Sequence, residues 1–232
     1  MKQPLLALSA FLLVPGAAGQ VANGSVLNCT IPSHNPKRVM DDFVTPLSAE
    51  ETLGLKSAPH GARRVGQHQL EISWIGGTRI FKDKPPYDEP LGGTHWTYCG
   101  YNASVGLYML LKAEEGLFTG ALLDDKTGSV LPGGQKIVFS PDVQYYLAYE
   151  QPDGMDGEMI KLFRRDGLPI WEGYDGILTS DGKTVVANFE NMRWDSQNRL
   201  QAEVRPKGQK PTTVTLTKLS DGKWDWLPHI PN

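Results

Sequence analysis

Cysteine is almost absent from this chain: Cys29 and Cys99 are the only two among 232 residues. Two thiols with no histidine at ligand spacing argue against the cysteine-rich zinc modules. Histidine is sparse as well, and His34, His60, His68, His95 and His229 are scattered. The sequence has no H-E-x-x-H pair, no G-x-S-x-G elbow and no phosphate-binding glycine loop, so the common catalytic signatures are missing. Ser180–Lys183 has S-x-x-K spacing, but the tetrapeptide falls at a strand turn and recurs at Ser220–Lys223. It therefore reads as turn chemistry rather than as a nucleophile. Neither sign of charge dominates: 23 Lys and Arg face 26 Asp and Glu, a formal net charge of −3. That balance argues against a dedicated nucleic-acid surface or an anionic-membrane surface. Beyond the N-terminus no apolar run is long enough to span a bilayer. The expectation is no catalytic set, no metal and no cofactor.

The N-terminus carries an export signal. Lys2 supplies the positive region, residues 5–14 the apolar core and Ala17-Ala18-Gly19 the small-residue cleavage site. Residues 1–19 are read as a signal peptide, with the mature chain starting near Gln20 in the periplasm or outside the cell. No lipobox cysteine follows. An even cysteine count in an oxidising compartment predicts a Cys29–Cys99 disulfide, with free thiols or a metal pair as the alternatives. Asn23, Asn28 and Asn102 head glycosylation sequons.

Gly and Pro are plentiful, at 25 and 17, as in a turn-rich β protein. The stretch 134–173 shows why. Four short apolar runs, at 136–139, 145–150, 158–164 and 168–172, are separated by Ser140-Pro141-Asp142, Pro152-Asp153-Gly154 and Asp166-Gly167. Such runs read as strands and such breaks as tight turns. In the second run Tyr146 and Ala148 alternate with Leu147 and Tyr149, so it can pack on both faces. Related units flank it. Val138–Asp142 matches Ile177–Asp181, Tyr146-Leu147-Ala148 matches Val185-Val186-Ala187, and Asp166-Gly167 before Trp171 matches Asp221-Gly222 before Trp226. Upstream, Tyr108-Met109-Leu110 and Thr127-Gly128 complete a third copy. The units run 94–133, 134–173 and 174–228, with an extra hairpin at 194–205 in the last. A period of about 40 residues with four strands per unit is the mark of propeller blades.

Phe139-Ser140-Pro141-Asp142 followed by Tyr146-Leu147-Ala148 resembles the strand–turn–strand of TolB-like and WD-repeat propeller blades. Leu123–Leu131 resembles the turn between the third and fourth strands of quinoprotein-type blades. The resemblance implies a fold and no activity. Closed propellers have at least four blades, so three units imply an all-β, open or partial propeller. Residues 20–64, punctuated by prolines, are expected to form an irregular N-terminal segment tied by the disulfide. Residues 65–232 form the β-repeat domain. Capping-box spacing at Ser48–Glu51 predicts a short helix to about residue 53. Residues 69–82 predict a hairpin beside the first repeat, and 82–93 a Pro-rich loop.

Two features suggest binding. The loop 151–158 (QPDGMDGE) offers Asp153, Asp156 and Glu158 as hard oxygen donors, without the register of a calcium loop, and Met155 as an adaptable apolar contact. Aromatics form the second feature. Trp224 and Trp226 share one strand face, with Trp194 nearby in sequence and Trp96, Tyr98 and Tyr101 in the first unit. Such rows form sugar platforms or interface anchors, or else fill the core. The expected function is an exported, non-enzymatic binding protein with a protein partner, in concrete form an inhibitor or immunity protein against an envelope hydrolase. The alternative is a carbohydrate-binding or hydrolytic domain with Trp224, Trp226 and a carboxylate such as Asp225 or Glu203 in one groove.

Overall fold

The computed structural model describes residues 26–29, 49–87, 92–114, 117–150, 159–173, 176–206 and 210–231. Among them are seventeen strands and one helix, so the chain is all-β. The short strands β2 (Ala62–Arg64), β3 (Gln69–Trp74) and β4 (Gly77–Lys82) make a three-stranded antiparallel sheet. The strands β5 (Thr94–Asn102), β6 (Leu107–Glu114), β7 (Leu117–Asp124) and β8 (Val130–Pro132) make a four-stranded meander. A second meander contains β9 (Lys136–Phe139), β10 (Tyr145–Glu150), β11 (Met159–Arg164) and β12 (Pro169–Gly173), with β1 (Val26–Asn28) added on the β9 edge. The last sheet contains β13 (Gly176–Leu178), β14 (Thr184–Trp194), β15 (Leu200–Pro206), β16 (Thr212–Lys218) and β17 (Trp224–Leu227) in that order. The three repeat units are thus three blade-like sheets, and the extra hairpin of the third unit is the β14–β15 pair.

Local turn chemistry sets these boundaries. At the β9–β10 turn the Ser140 hydroxyl donates to Asp142 Oδ1 at 2.6 Å and accepts the Tyr145 N–H at 3.0 Å. At the equivalent β13–β14 turn Thr179 Oγ1 donates to Asp181 Oδ1. Val143 N–H reaches Ser140 O, and Gly182 N–H reaches Thr179 O, each at 2.9 Å. Both Val143 (φ 58°) and Gly182 (φ 81°) have left-handed backbone. Glycine adopts that region freely and valine does so at a cost. The repeat seen in the letters is therefore a repeat of hydrogen bonds.

The sheets stack face to face in chain order. Each interior sheet buries both faces, as the alternation along its central strand requires. Leu107, Met109 and Leu111 of β6 pack with Ile137, Phe139, Tyr146 and Ala148 of the next sheet. Tyr108 and Leu110, between them in sequence, point the other way and pack with Leu70, Ile72 and Phe81 of the first sheet. Leu147 and Tyr149 of β10 face Leu200, Ala202, Val204, Val214 and Leu216 of the last sheet. Gly120 and Gly134 let β7 approach the following sheet closely, since a Cβ on Gly120 would lie 2.2 Å from Gly134 N. Among the described residues these three clusters join consecutive sheets, and none joins the last sheet to the first. The assembly is open.

The 69–82 hairpin does not extend the first repeat sheet edgewise. It lies across that sheet's face, with β2 as its third strand, although β2 falls inside the segment read as irregular. The reason lies on the β5 edge, whose free backbone groups are already occupied. Thr94 exchanges two backbone hydrogen bonds with Lys84, at 2.9 Å each. Trp96 N–H donates to Asp83 Oδ1 and Tyr98 N–H to Glu51 Oε1, both at 2.9 Å. Glu51 comes from α1 (Ala49–Lys56), the helix that the capping-box spacing predicts. Arg64 sits between the two carboxylates, 2.8 Å from Glu51 and 3.6 Å from Asp83, and also donates to Trp96 O. Side chains do here what another strand would do, and an edge treated in this way offers no template for further pairing.

Cys29 and Cys99 form the expected disulfide, with Cα atoms 5.2 Å apart. It ties β1, on the edge of one sheet, to β5, on the edge of another.

Candidate functional site

At one end of the stack, between the last two sheets, lies a cleft of about 420 Å³. Its walls are aromatic: Tyr145 opens β10, Trp194 closes β14 and Trp224 opens β17. Strand ends place all three beside turns, so each is half-buried rather than enclosed. Tyr145 and Trp194 lie nearly parallel, with centroids 6.4 Å apart, and Trp224 stands edge-on to Tyr145 at 6.5 Å. Leu162, Leu200 and Leu216 form the floor. The rim is polar: Asp142, Gln197, Asn198 and Arg199 come from turns, and Thr217 and Lys218 from the end of β16.

The walls are held in place. Trp194 Nε1 donates to Val138 O at 3.3 Å. Asp142 N–H donates to Asn198 Oδ1 at 3.0 Å, which ties the two turns on the rim together. Arg199 is anchored on Asp195 through Nε at 2.8 Å and through its backbone N–H at 3.0 Å. Burial pushes the Asp195 carboxyl up. The Arg199 and Gln197 N–H groups and the Arg199 guanidinium outweigh that and hold it below its ordinary value.

The residues expected to bind divide three ways. Trp224 is on the cleft wall. Trp226 shares its strand face but is 2 % exposed, packed edge-on against Trp171 at 5.6 Å and beside Phe189 at 5.0 Å. It is core, and a single groove lined by both tryptophans does not exist. Asp153, Met155, Asp156 and Glu158 lie outside the described residues. The carboxylates suggested for a groove also point elsewhere. Glu203 alternates with the buried Ala202 and Val204 and accepts from Asn191 at 3.0 Å, and Asp225 pairs with His229 at 2.8 Å. Trp96, Tyr98 and Tyr101 belong to the packing between the first two sheets. Tyr145 and Asn198 are site residues that sequence reasoning did not single out. Their signal is positional, since each lies at the mouth of a turn next to an aromatic strand end.

A second polar cluster is structural. The buried Asp125 carboxylate accepts from Tyr101 at 3.2 Å and Tyr108 at 3.1 Å and lies 3.3 Å from His60 Nε2. Burial, followed by the Asp125 contact, pushes the Tyr108 hydroxyl far up. The single proton of the neutral phenol is shared between Asp125 and Ser73 O, the latter at 2.9 Å, so the cluster clips the first sheet onto the second. Among the described residues no group of three or more His, Cys, Asp or Glu is placed to hold a metal, and no helix is long and apolar enough to cross a membrane.

These features define a class: an all-β stack of antiparallel, blade-like sheets with an aromatic cleft between the last two. No family model matches the chain, and neither the curated proteins nor the solved structures contain a significant match to it.

Proposed function

We propose that this chain is an exported binding protein that recognises its ligand in the aromatic cleft and performs no chemistry on it. The carrying observation is the convergence of Tyr145, Trp194 and Trp224, from three strands of two sheets, on one open cavity with a polar rim. Clefts with apolar walls and a few convergent polar groups are the usual ligand sites. Hydrolysis is the weaker reading of the same site. Glycoside hydrolysis ordinarily uses two carboxylates flanking the bond, and Asp142 is the only carboxylate among the described residues lining this cleft. Export is supported by the signal-like residues 1–19 and by the disulfide, which belongs to oxidising compartments. In the inhibitor reading a loop such as 153–158 or 85–93 would enter an envelope hydrolase; residues 151–158 and 88–91 lie outside the described residues, and the cleft is the basis of this proposal.

The test is capture from envelope material. Residues 20–232, oxidised and immobilised, are exposed to an envelope fraction beside Trp194→Ala and Trp224→Ala variants that retain the wild-type circular dichroism. A retained component lost from both variants is the expected result. Equal retention by all three proteins removes the cleft as the site.

A further inference from the structure

We infer that the cleft takes a neutral oligosaccharide, with a pyranose ring laid against the indoles of Trp194 and Trp224 and its hydroxyls bonded to the rim. This rests on the cleft being the binding site. A pyranose is amphipathic in a particular way. One face presents C–H groups, which suit the electron-rich face of an aromatic ring, while its edge carries hydroxyls that need donors and acceptors in the ring plane. The cleft offers the same division: aromatic walls from strand ends, with amide groups from a turn and a hydroxyl from the end of β16 at the rim. Asn198 spends its carbonyl oxygen on Asp142 N–H, which aims its amide donors away from that bond. Thr217 donates to Thr215 O at 3.2 Å, which leaves its oxygen as an acceptor.

Charge selects a neutral ligand. Arg199 and Lys218 at the rim are balanced by Asp142 on the rim and by Asp195 beneath Arg199. An anionic ligand would meet no net cation, and a cationic one no free carboxylate cluster. The volume, about 420 Å³, is at the small end of ligand pockets, which run from about 300 to 1,000 Å³. It accommodates a short glycan segment. The fixed Trp194 ring and the tied rim turns limit the ordering that binding would demand.

The experiment is a titration of oxidised residues 20–232 with chito-, cello-, malto- and xylo-oligosaccharides, followed by calorimetry and by tryptophan fluorescence. A displayed library of aromatic-containing peptides is screened in parallel. At least one neutral oligosaccharide series is expected to bind at millimolar concentration or below. Trp224→Ala should weaken it by about tenfold or more. Gln197→Ala, at an exposed rim position, provides a second variant, and it should weaken the same glycan without changing the thermal midpoint. No glycan binding at millimolar concentration overturns the inference. If peptides then bind in a manner that depends on Trp194 and Trp224, the cleft stands as a protein-recognition site and only the glycan assignment falls. If neither class binds and envelope capture is also insensitive to both tryptophans, the cleft reading falls as well.

Discussion

Replacing Arg64 by Met should be among the most destabilising single changes in the protein. The Arg64 side chain is 13 % exposed, and its partners Glu51 and Asp83 are each 5 % exposed. Those two carboxylates cap Tyr98 N–H and Trp96 N–H on the β5 edge. Removing the guanidinium takes away the cation shared by two buried carboxylates, and also leaves Trp96 O without its Arg64 donor. Breaking a buried ion pair from one side costs about 3–5 kcal/mol. Urea unfolding of a domain this size has a slope of about 2 kcal/mol per molar, so the midpoint should fall by about 2 M. Adding Glu51→Gln to Arg64→Met should recover part of the loss, because an amide keeps an acceptor for Tyr98 N–H while removing one anion. The coupling between the two changes should exceed about 1 kcal/mol. A loss below about 1 kcal/mol for Arg64→Met, or strict additivity of the pair, would refute the claim that this trio seals the edge.

The other predictions concern the crosslink, the tryptophans and acid. Changing Cys29 and Cys99 to Ser opens a loop with a sequence separation of 70. It should lower unfolding stability by about 4 kcal/mol, whereas no change in urea midpoint would mean that the bridge is incidental. Trp226→Ala should cost about 3–5 kcal/mol as a core deletion, and Trp224→Ala, at the cleft wall, clearly less. Thermal melts of equal depression for the two would contradict their assignment to core and site. The Asp124 carboxyl is pushed up by burial, but the Thr127 and Lys126 N–H groups and the Arg165 guanidinium outweigh this and hold it below its ordinary value. Its contribution is therefore fully present above about pH 4, near the unfolded carboxylate pKa, and is lost as pH falls through the depressed folded value. Asp124→Asn should flatten the decline in melting temperature between pH 4 and pH 2, and an unaltered slope would show that Asp124 is not part of it.

What the sequence revealed was what is local. The Ser140–Tyr145 and Thr179–Lys183 turns are closed by hydrogen bonds within five residues, so their letters alone mark the unit boundaries. The alternation in β10 likewise announces a sheet buried on both sides. The position of the 69–82 hairpin depends on contacts that span the chain. Glu51 reaches Tyr98 across 47 positions, and nothing in either neighbourhood signals that a side chain will occupy a strand's place. The tryptophans show the same limit at the site. Trp224 and Trp226 are equivalent by alternation, and only Trp171 and Phe189, packed against the latter, make one core and leave the other at the wall. The cleft draws Tyr145, Trp194 and Trp224 from separate strands, so their meeting is a property of the stacking of the two sheets.

The most direct test of the central claim is a nuclear magnetic resonance titration that follows the indole N–H signals of oxidised, isotope-labelled residues 20–232 as the oligosaccharide panel is added. The account predicts that Trp194 and Trp224 shift in a saturable way while Trp171 and Trp226 stay in place. Shifts confined to backbone amides of residues 151–158, with all indole signals unmoved, would contradict it and move recognition to the acidic loop.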